Sequence, residues 1–289
     1  MITRFAPSPT GPLHLGHAYS AMLAYDMAMS RNGVFLLRIE DIDQSRARPK
    51  WEAQIYDDLH WLGLRWPSPV MRQSDRLHSY RSAIERLWHD GLLYACHCTR
   101  ADIAAATAAP QEGVPTLGPD GAIYPGTCRP LDGNRSPGPA PTDAALRLNI
   151  GMVACRLGTT PVLSFTETGA GPNGAKAAVD FTLADLARTT GDIVLARRHM
   201  GTSYHLSVVV DDAAQGVTHV VRGQDLFDAT KIHVLLQHLL SLPSPIYHHH
   251  RLIRDDNGKR LAKRDDARAL SAFRAEGATP ADIRRLVGL

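Results

Sequence analysis

The stretch RFAPSPTGPLHLGHAY, residues 4–19, limits the folds open to this chain more than any other. Pro7, Pro9 and Pro12 each lack an N–H and hold φ fixed, so no regular helix can run through that segment. Gly11 permits backbone angles and close approaches that other residues resist. From His14 to Arg31 the pattern changes: proline disappears, Gly16 is the only glycine, and Ala, Met and Leu predominate. Met22, Tyr25 and Met29 recur at spacings of three and four, as one face of a helix would. The reading is a short apolar strand over 2–6, a rigid loop, and a helix whose first turn carries His14 and His17. The free N–H groups at such a helix start, with donors beside them, suit an anion.

The next segments extend this unit. Gly33 is placed as a C-cap, and 34–39 reads as a buried strand that ends in Glu40, Asp41 and Asp43. Strand, helix and strand at this spacing predict a parallel βαβ unit. Helical periodicity follows over 51–62 and 74–90, with Gly91 as a stop. Residues 92–98 form a short strand running into Cys96 and Cys98, and Thr99 with Asp102 resembles a capping box for an Ala-rich helix. Residues 109–141 hold eight prolines and six glycines, so this stretch is a loop that needs something to organise it. Strands at 144–149 and around Phe181 flank a Gly-rich connector at 169–174. Buried apolar stretches resume at 193–196, 204–210 and 217–221, followed by a helix over 225–240 and a terminal helix started by Thr279 and Pro280. Apolar parallel elements at both ends and an irregular middle predict a doubly wound α/β fold with an insertion.

Composition narrows the class. A net charge of +3 over 289 residues neither requires nor excludes a nucleic-acid partner. No apolar run approaches the roughly 20 residues a membrane helix needs, and no charged segment with an apolar core opens the sequence. Of four cysteines, three lie between 96 and 128, which suits a reducing compartment and a metal site better than a disulfide framework. A cytoplasmic protein is expected.

Three constellations carry chemistry. In Pro12-Leu13-His14-Leu15-Gly16-His17, both imidazoles and the helix start would face polyphosphate as fixed donors, and Gly16 would let a nucleotide ring approach the backbone. The alternative is a helix start with two solvated histidines. In Gly258-Lys259-Arg260-Leu261-Ala262-Lys263-Arg264, a cationic clamp would let Lys263 neutralise a leaving pyrophosphate; taken alone, the segment equally reads as a solvated basic face. In Cys96-x-Cys98 with Tyr124-x-x-x-Cys128, thiolates suit zinc, which wants four tetrahedral ligands. Structural cysteines are the alternative, but a loop this poor in apolar residues offers little core to join. His97 and Cys155 stay open as fourth ligands. The run His248-His249-His250 lies in a strand whose neighbours alternate faces, and no metal is expected there.

These stretches resemble the class I aminoacyl-tRNA synthetases of the glutamyl type. RFAPSPTGPLHLGH resembles their H-I-G-H signature, LLRIEDIDQSR (36–46) the strand that follows it, and RLAKR (260–264) their K-M-S-K-S loop, in the expected order. Arg260, Ala262 and Arg264 depart from that loop, so only Lys263 carries over. The resemblance implies a class I synthetase-type, Rossmann-like doubly wound parallel sheet with a small zinc-binding insertion. Its expected divisions are 1–92, first half of the nucleotide-binding catalytic domain; 93–143, the insertion; and 144–289, the second half with the 259–264 loop. It further implies catalysis by His14, His17 and Lys263, and an ATP site from His14, Gly16, His17 and Lys263, with Mg²⁺ accompanying ATP. A dicarboxylate substrate needs an arginine and an acid; the resemblance implies a glutamate pocket from Arg4, Phe5, Ala6, Pro7, Ser8, Glu40, Tyr204 and Arg222. Without it, Tyr204 reads as a core aromatic and Arg222 as a surface ion pair. The implied zinc ligands are Cys96, Cys98, Tyr124 and Cys128.

The sequence ends 25 residues after Arg264, so no anticodon-binding domain is expected. That narrows the resemblance to the shorter, glutamyl-queuosine branch of the family. The implied partners are L-glutamate, ATP and the queuosine-bearing anticodon loop of tRNA(Asp), with the protein a monomer. Scattered bases such as Arg188, Arg197, Arg198, Arg251 and Arg254 would meet tRNA phosphates. The rivals are a truncated glutamyl-tRNA synthetase acylating the 3′ end, a non-catalytic tRNA-binding module, and a ligase loading glutamate on a carrier protein.

Overall fold

A computed structural model describes residues 1–107, 117–119, 121–130, 138–158, 162–174, 176–253 and 268–289. Strand β1 (Ile2–Phe5) runs into the proline loop, and helix α1 (Leu15–Met29) starts directly after His14. The buried side of α1 is Ala18, Ala21, Met22, Ala24 and Ala28; Met29, expected on that face, is exposed. Alanines let the helix axis lie close to the sheet, near enough for the Thr3 hydroxyl to donate to the Ala24 carbonyl at 2.8 Å. Then come β2 (Val34–Ile39), α2 (Pro49–Trp61), the two-residue β3 (Met71–Arg72), α3 (Leu77–His89) and β4 (Leu93–Cys96). The middle of the chain supplies α4 (Arg100–Thr107), the short pair β5 (Leu117–Gly118) and β6 (Gly121–Ala122), β7 (Ala145–Leu148) and α5 (Ile150–Leu157). It continues through β8 (Val162–Glu167), β9 (Ala177–Thr182), α6 (Leu183–Thr189) and β10 (Ile193–Ala196). The last part adds α7 (Tyr204–Ala214), β11 (His219–Gly223), α8 (Phe227–Leu240), β12 (Ile246–His250), α9 (Leu270–Ala275) and α10 (Pro280–Val287).

Strand β2 pairs in parallel with β1 (Ile2↔Val34 to Phe5↔Leu37) and with β3, while β11 pairs in parallel with β12 (His219↔Ile246 to Gly223↔His250). The two halves meet where Thr218 N donates to Ile2 O at 3.0 Å and Ile2 N to the Thr218 hydroxyl at 2.8 Å. The spatial order is therefore β3, β2, β1, β11, β12, with β8 and β9 continuing beyond β12. The chain winds outward one way from β1 and the other way from β11, so the order reverses between them. Ligands of such folds sit beyond the carboxyl ends of the strands at that reversal. Residues 6–8 follow β1, Glu40 follows β2 and Arg222 closes β11, so the topology alone gathers them there.

A second sheet, β10, β7, β4, is wholly antiparallel (Leu93↔Leu148 and Ile193↔Leu148). The irregular middle segment springs from the end of β4. It returns to the body where Tyr124 bridges Gly191, whose φ of +69° and lack of Cβ allow Ile123 and Tyr124 to lie against it. Apolar packing forms one cluster around α1, β1, β2 and α2, and a larger one between α3, the antiparallel sheet, α7 and α8. The terminal α10, capped by Thr279 as expected, is tied to α1 by Arg284, whose two terminal nitrogens hold Asp26 at 2.6 and 2.9 Å.

Candidate active site

The first constellation is a helix cap built from imidazoles. His14 is the N-cap of α1: its Nδ1 accepts from Gly16 N at 3.1 Å, and its own N–H donates to His17 Nδ1 at 3.2 Å. Because each Nδ1 accepts from backbone, each neutral ring carries its proton on Nε2. The rings lie 3.8 Å apart at 35°, so two Nε2–H donors sit side by side at a helix start that has no acidic residue in its first turn. The segment after the basic loop is pinned here: Leu270 N donates to Leu13 O at 2.8 Å and Ala269 bridges His14. Before that loop, Ile253 packs on Tyr19 and Val287. Lys263 and the rest of the RLAKR segment lie outside the described residues, as does Arg254.

Beside the cap lies a buried quartet of charges. Asp212 Oδ1 accepts from Arg4 Nε at 3.0 Å and Arg38 Nη1 at 2.7 Å, Asp212 Oδ2 accepts from Arg4 Nη2 at 3.2 Å, and Arg38 Nη2 reaches Glu40 Oε1 at 3.1 Å. All four side chains are at most 8% exposed. Burial pushes the Glu40 carboxyl above its ordinary range against the pull of Arg38 and Arg4. For Asp212 burial pushes the same way, but the charges and hydrogen bonds of the two guanidiniums outweigh it and hold the group below the usual carboxylate range. The Glu40 N–H donates to Pro7 O at 3.0 Å, which fixes the proline loop against the end of β2. Phe5 and Pro7 are buried, Ala6 is half-buried and Ser8 is exposed.

A cavity of about 250 Å³ opens over this floor, lined by Ser8, Glu40, Gln73, Arg46, Arg197 and Tyr204 among others. It brings together three of the residues expected around glutamate, Ser8, Glu40 and Tyr204. It adds Gln73, Arg46 and Arg197, none of them anticipated there. Arg4 and Arg222 stand behind this wall: Arg4 is committed to Asp212, and both lie close enough to act electrostatically on the Tyr204 hydroxyl, whose acidity burial weakens. Arg38, inside LLRIEDIDQSR, and Asp212, just beyond the 204–210 stretch, are site residues that the motifs alone do not single out. An arginine within an apolar strand and an acid after Val-Val-Val were the available signals.

Arg222 is no surface ion pair. It is 5% exposed, and every hydrogen-bond partner it has among the described residues is a neutral acceptor. Its Nε donates to His249 Nε2 at 3.2 Å, Nη1 to His233 Nδ1 at 3.0 Å and Nη2 to the Thr230 hydroxyl at 2.6 Å, while Tyr247 presents its ring 5.3 Å from the guanidinium carbon. Burial, then the charge of Arg222, hold His233 well below its ordinary pKa. A buried cation without a counter-charge is costly unless something anionic joins it.

The cysteine constellation is brought together. The Sγ atoms of Cys96, Cys98 and Cys128 lie within 4.8 Å of one another. The Tyr124 hydroxyl stands among them, 3.5 Å from Cys96 Sγ and 3.4 Å from Cys98 Sγ, and accepts the Cys128 N–H at 2.7 Å. Zinc–sulfur and zinc–oxygen bonds of about 2.3 and 2.0 Å set tetrahedrally put sulfur and oxygen about 3.5 Å apart, so this donor set fits zinc. His97 and Cys155 are exposed and stand outside the cluster. Burial raises the Cys128 thiol, but hydrogen bonds from Tyr124, backbone and neighbouring thiols outweigh it and bring its pKa to about 7. At Cys98 the Tyr124 hydrogen bond pulls the thiol down, but burial and the neighbouring thiols outweigh it and push the thiol up. Asp192 ties this region to the antiparallel sheet: it accepts from Tyr94 at 2.6 Å, Arg129 at 2.7 Å and Ile150 N at 3.0 Å, while Arg147 donates to its carbonyl and stacks on Tyr124.

A doubly wound sheet with an imidazole-capped helix and a polar cavity at its reversal has the architecture of a nucleotide-binding type of α/β domain. Comparison with known proteins agrees. The sequence matches the family described as tRNA synthetases class I (E and Q), catalytic domain, over residues 1–116 and 175–289. A Rhodobacter capsulatus protein named "Glutamyl-Q tRNA(Asp) synthetase" is 64% identical over 289 residues, covering 100% of both chains. A Symbiobacterium thermophilum protein of the same name is 40% identical over 290 residues, covering 97% of this chain and 83% of that one. Among solved structures, a glutamate tRNA ligase from Elizabethkingia meningosepticum in complex with its amino acid superposes with a TM-score of 0.73 at 24% identity, over 99% of this chain and 60% of that one. The chain belongs to the class I tRNA synthetase family of the glutamyl and glutaminyl type.

Proposed function

We propose that this chain is an ATP-dependent ligase that activates L-glutamate and passes it to queuosine at the wobble position of tRNA(Asp). One observation carries the substrate: Arg222 is a buried guanidinium whose hydrogen-bond partners among the described residues are all neutral, and it stands behind a cavity lined by Glu40 and Tyr204. The side-chain carboxylate of glutamate supplies the missing counter-charge, with the Tyr204 hydroxyl beside it. Glu40 takes the ammonium group, Arg4 adds positive potential from its seat on Asp212, and Phe5, Ala6, Pro7 and Ser8 shape the wall. The α-carboxylate of glutamate then attacks the α-phosphorus of ATP, and pyrophosphate leaves. His14 and His17 direct their Nε2–H groups at the phosphoryl oxygens where charge develops, and Lys263 neutralises the pyrophosphate. Gly16 leaves room for the nucleotide, and Mg²⁺ accompanies ATP. In the second step a queuosine hydroxyl attacks the carbonyl carbon of glutamyl-adenylate, and AMP leaves.

The insertion, read as 93–143 between catalytic halves 1–92 and 144–289, holds one structural zinc through Cys96, Cys98, Tyr124 and Cys128. No described helix is long and apolar enough to cross a membrane, and the place of action is taken to be the cytoplasm, with the protein a monomer. Labelled glutamate with ATP, offered to tRNA(Asp) with and without queuosine and to unmodified tRNA(Glu), tests the reading. Label on queuosine-bearing tRNA(Asp) alone is expected. Label on tRNA(Glu) would make this a 3′-end acylating enzyme.

A further inference from the structure

The His248-His249-His250 run has a part to play that the proposed reaction leaves unassigned. Along β12, His248 turns outward to the Thr168 hydroxyl, while His249 turns inward and is fully buried. His249 Nδ1 meets the carboxylate of Glu167, which is itself fully buried at the end of β8. The Glu167 carboxylate also accepts the His249 N–H at 3.0 Å and the Gly169 N–H at 2.6 Å. That pairing needs glycine at 169: a Cβ there would lie 2.2 Å from His249 O and 2.9 Å from Glu167 Oε1. On its other side, His249 Nε2 faces Arg222 Nε at 3.2 Å and the Thr230 hydroxyl at 3.1 Å.

Proton placement follows from this geometry. An ionised carboxylate is acceptor-only, so His249 must donate through Nδ1. Arg222 is donor-only, so Nε2 must be bare. A doubly protonated ring would set an Nε2–H against the Arg222 Nε–H. The same logic runs along the next branch: His233 accepts Arg222 Nη1 through Nδ1, so its Nε2–H donates to His205 Nδ1 at 3.0 Å.

We propose that Glu167 and His249 are positioning residues for Arg222. The carboxylate locks the imidazole in its Nδ1–H form, and Nε2 then orients the guanidinium without neutralising it. A carboxylate placed directly on Arg222 would orient it equally well but would cancel the charge the substrate needs. An imidazole between them transmits direction and withholds the ion pair. The inference rests on Arg222 being the ligand of the glutamate side chain.

Glu167→Gln tests it. The variant keeps the shape and an oxygen for the two backbone N–H groups, but its amide nitrogen donates to His249 Nδ1. The ring proton moves to Nε2 and confronts Arg222. Nitrogen NMR of the histidine rings should show His249 Nε2 bare in the wild type and protonated in Glu167→Gln. In glutamate-dependent ATP–pyrophosphate exchange, the KM for glutamate should rise about 10- to 100-fold, with kcat and the KM for ATP changed less than about threefold. His249→Gln, whose amide oxygen can stand in for Nε2, should keep the KM for glutamate within about threefold of wild type. A protonated Nε2 in the wild type overturns the proposal. So does a Glu167→Gln protein that melts earlier yet keeps its KM for glutamate, since a mere buttress would behave that way. Wild-type exchange with another amino acid and none with glutamate would instead sink the substrate reading, while the His249 tautomer would still be read directly.

Discussion

Neutralising Asp212 is the sharpest test of what holds the site floor. The quartet Arg4, Arg38, Glu40 and Asp212 is electrically balanced, and all of it is buried. Asp212→Asn leaves two buried guanidiniums facing one carboxylate. It also turns an acceptor into a donor: an amide nitrogen at the Oδ2 position would meet Arg4 Nη2, now 3.2 Å from that oxygen. Breaking a buried ion pair from one side costs about 3–5 kcal/mol. For a chain of this size that is a fall in Tm of roughly 5–8 °C. Thermal and urea unfolding of the purified variant would read it. Arg38→Met in the same chain removes the surplus cation, so the double variant should recover about 2 kcal/mol relative to the sum of the single effects. A loss below about 1 kcal/mol for Asp212→Asn, or strict additivity, would mean that water or rearrangement screens the quartet and that the argument from burial is wrong.

Three further expectations follow from other parts of the molecule. One zinc per chain should be found by elemental analysis, and Cys96→Ser should lose it and lower Tm; metal-free protein with unchanged stability would refute the assignment. Lys263→Ala should cut the adenylation rate far more than it weakens glutamate binding, and an equal loss in both would refute the clamp. Asp58 near the end of α2 is 2% exposed, and burial with the neighbouring Asp57 raises its pKa to about 6. The folded chain thus keeps a proton that the unfolded chain gives up near pH 4, so this contribution to stability is complete below about 4 and lost as pH rises through about 6. Asp58→Asn should therefore stabilise at pH 8 by about 1–2 kcal/mol and do little at pH 4, in paired denaturant titrations.

The opening strand, loop and helix were legible because proline, glycine and alanine act locally. Their placement is decided by φ, a missing N–H and a missing side chain. The parallel halves were legible from strand–helix alternation. The antiparallel pairing of β4 with β7 and β10 was not, since four-residue strands some 50 residues apart carry no mark of their partners. In the site, Glu40 and Tyr204 could be named from motifs, but Arg38 and Asp212 owe their importance to each other, across 174 residues of chain. Arg222 shows the same limit: an arginine after two valines looks like a rim charge until the fold surrounds it with His233, His249 and Thr230.

Asp192 makes one mechanical body of what the sequence suggests are separate modules. Its side chain and carbonyl gather β4, α5, the sheet strand β7 and the loop that carries Cys128. That buried carboxylate therefore links the cysteine cluster to the sheet that abuts α7, the helix bearing Tyr204 and Asp212. Held by one buried carboxylate, the cysteine cluster and the antiparallel sheet would open as one unit rather than as two.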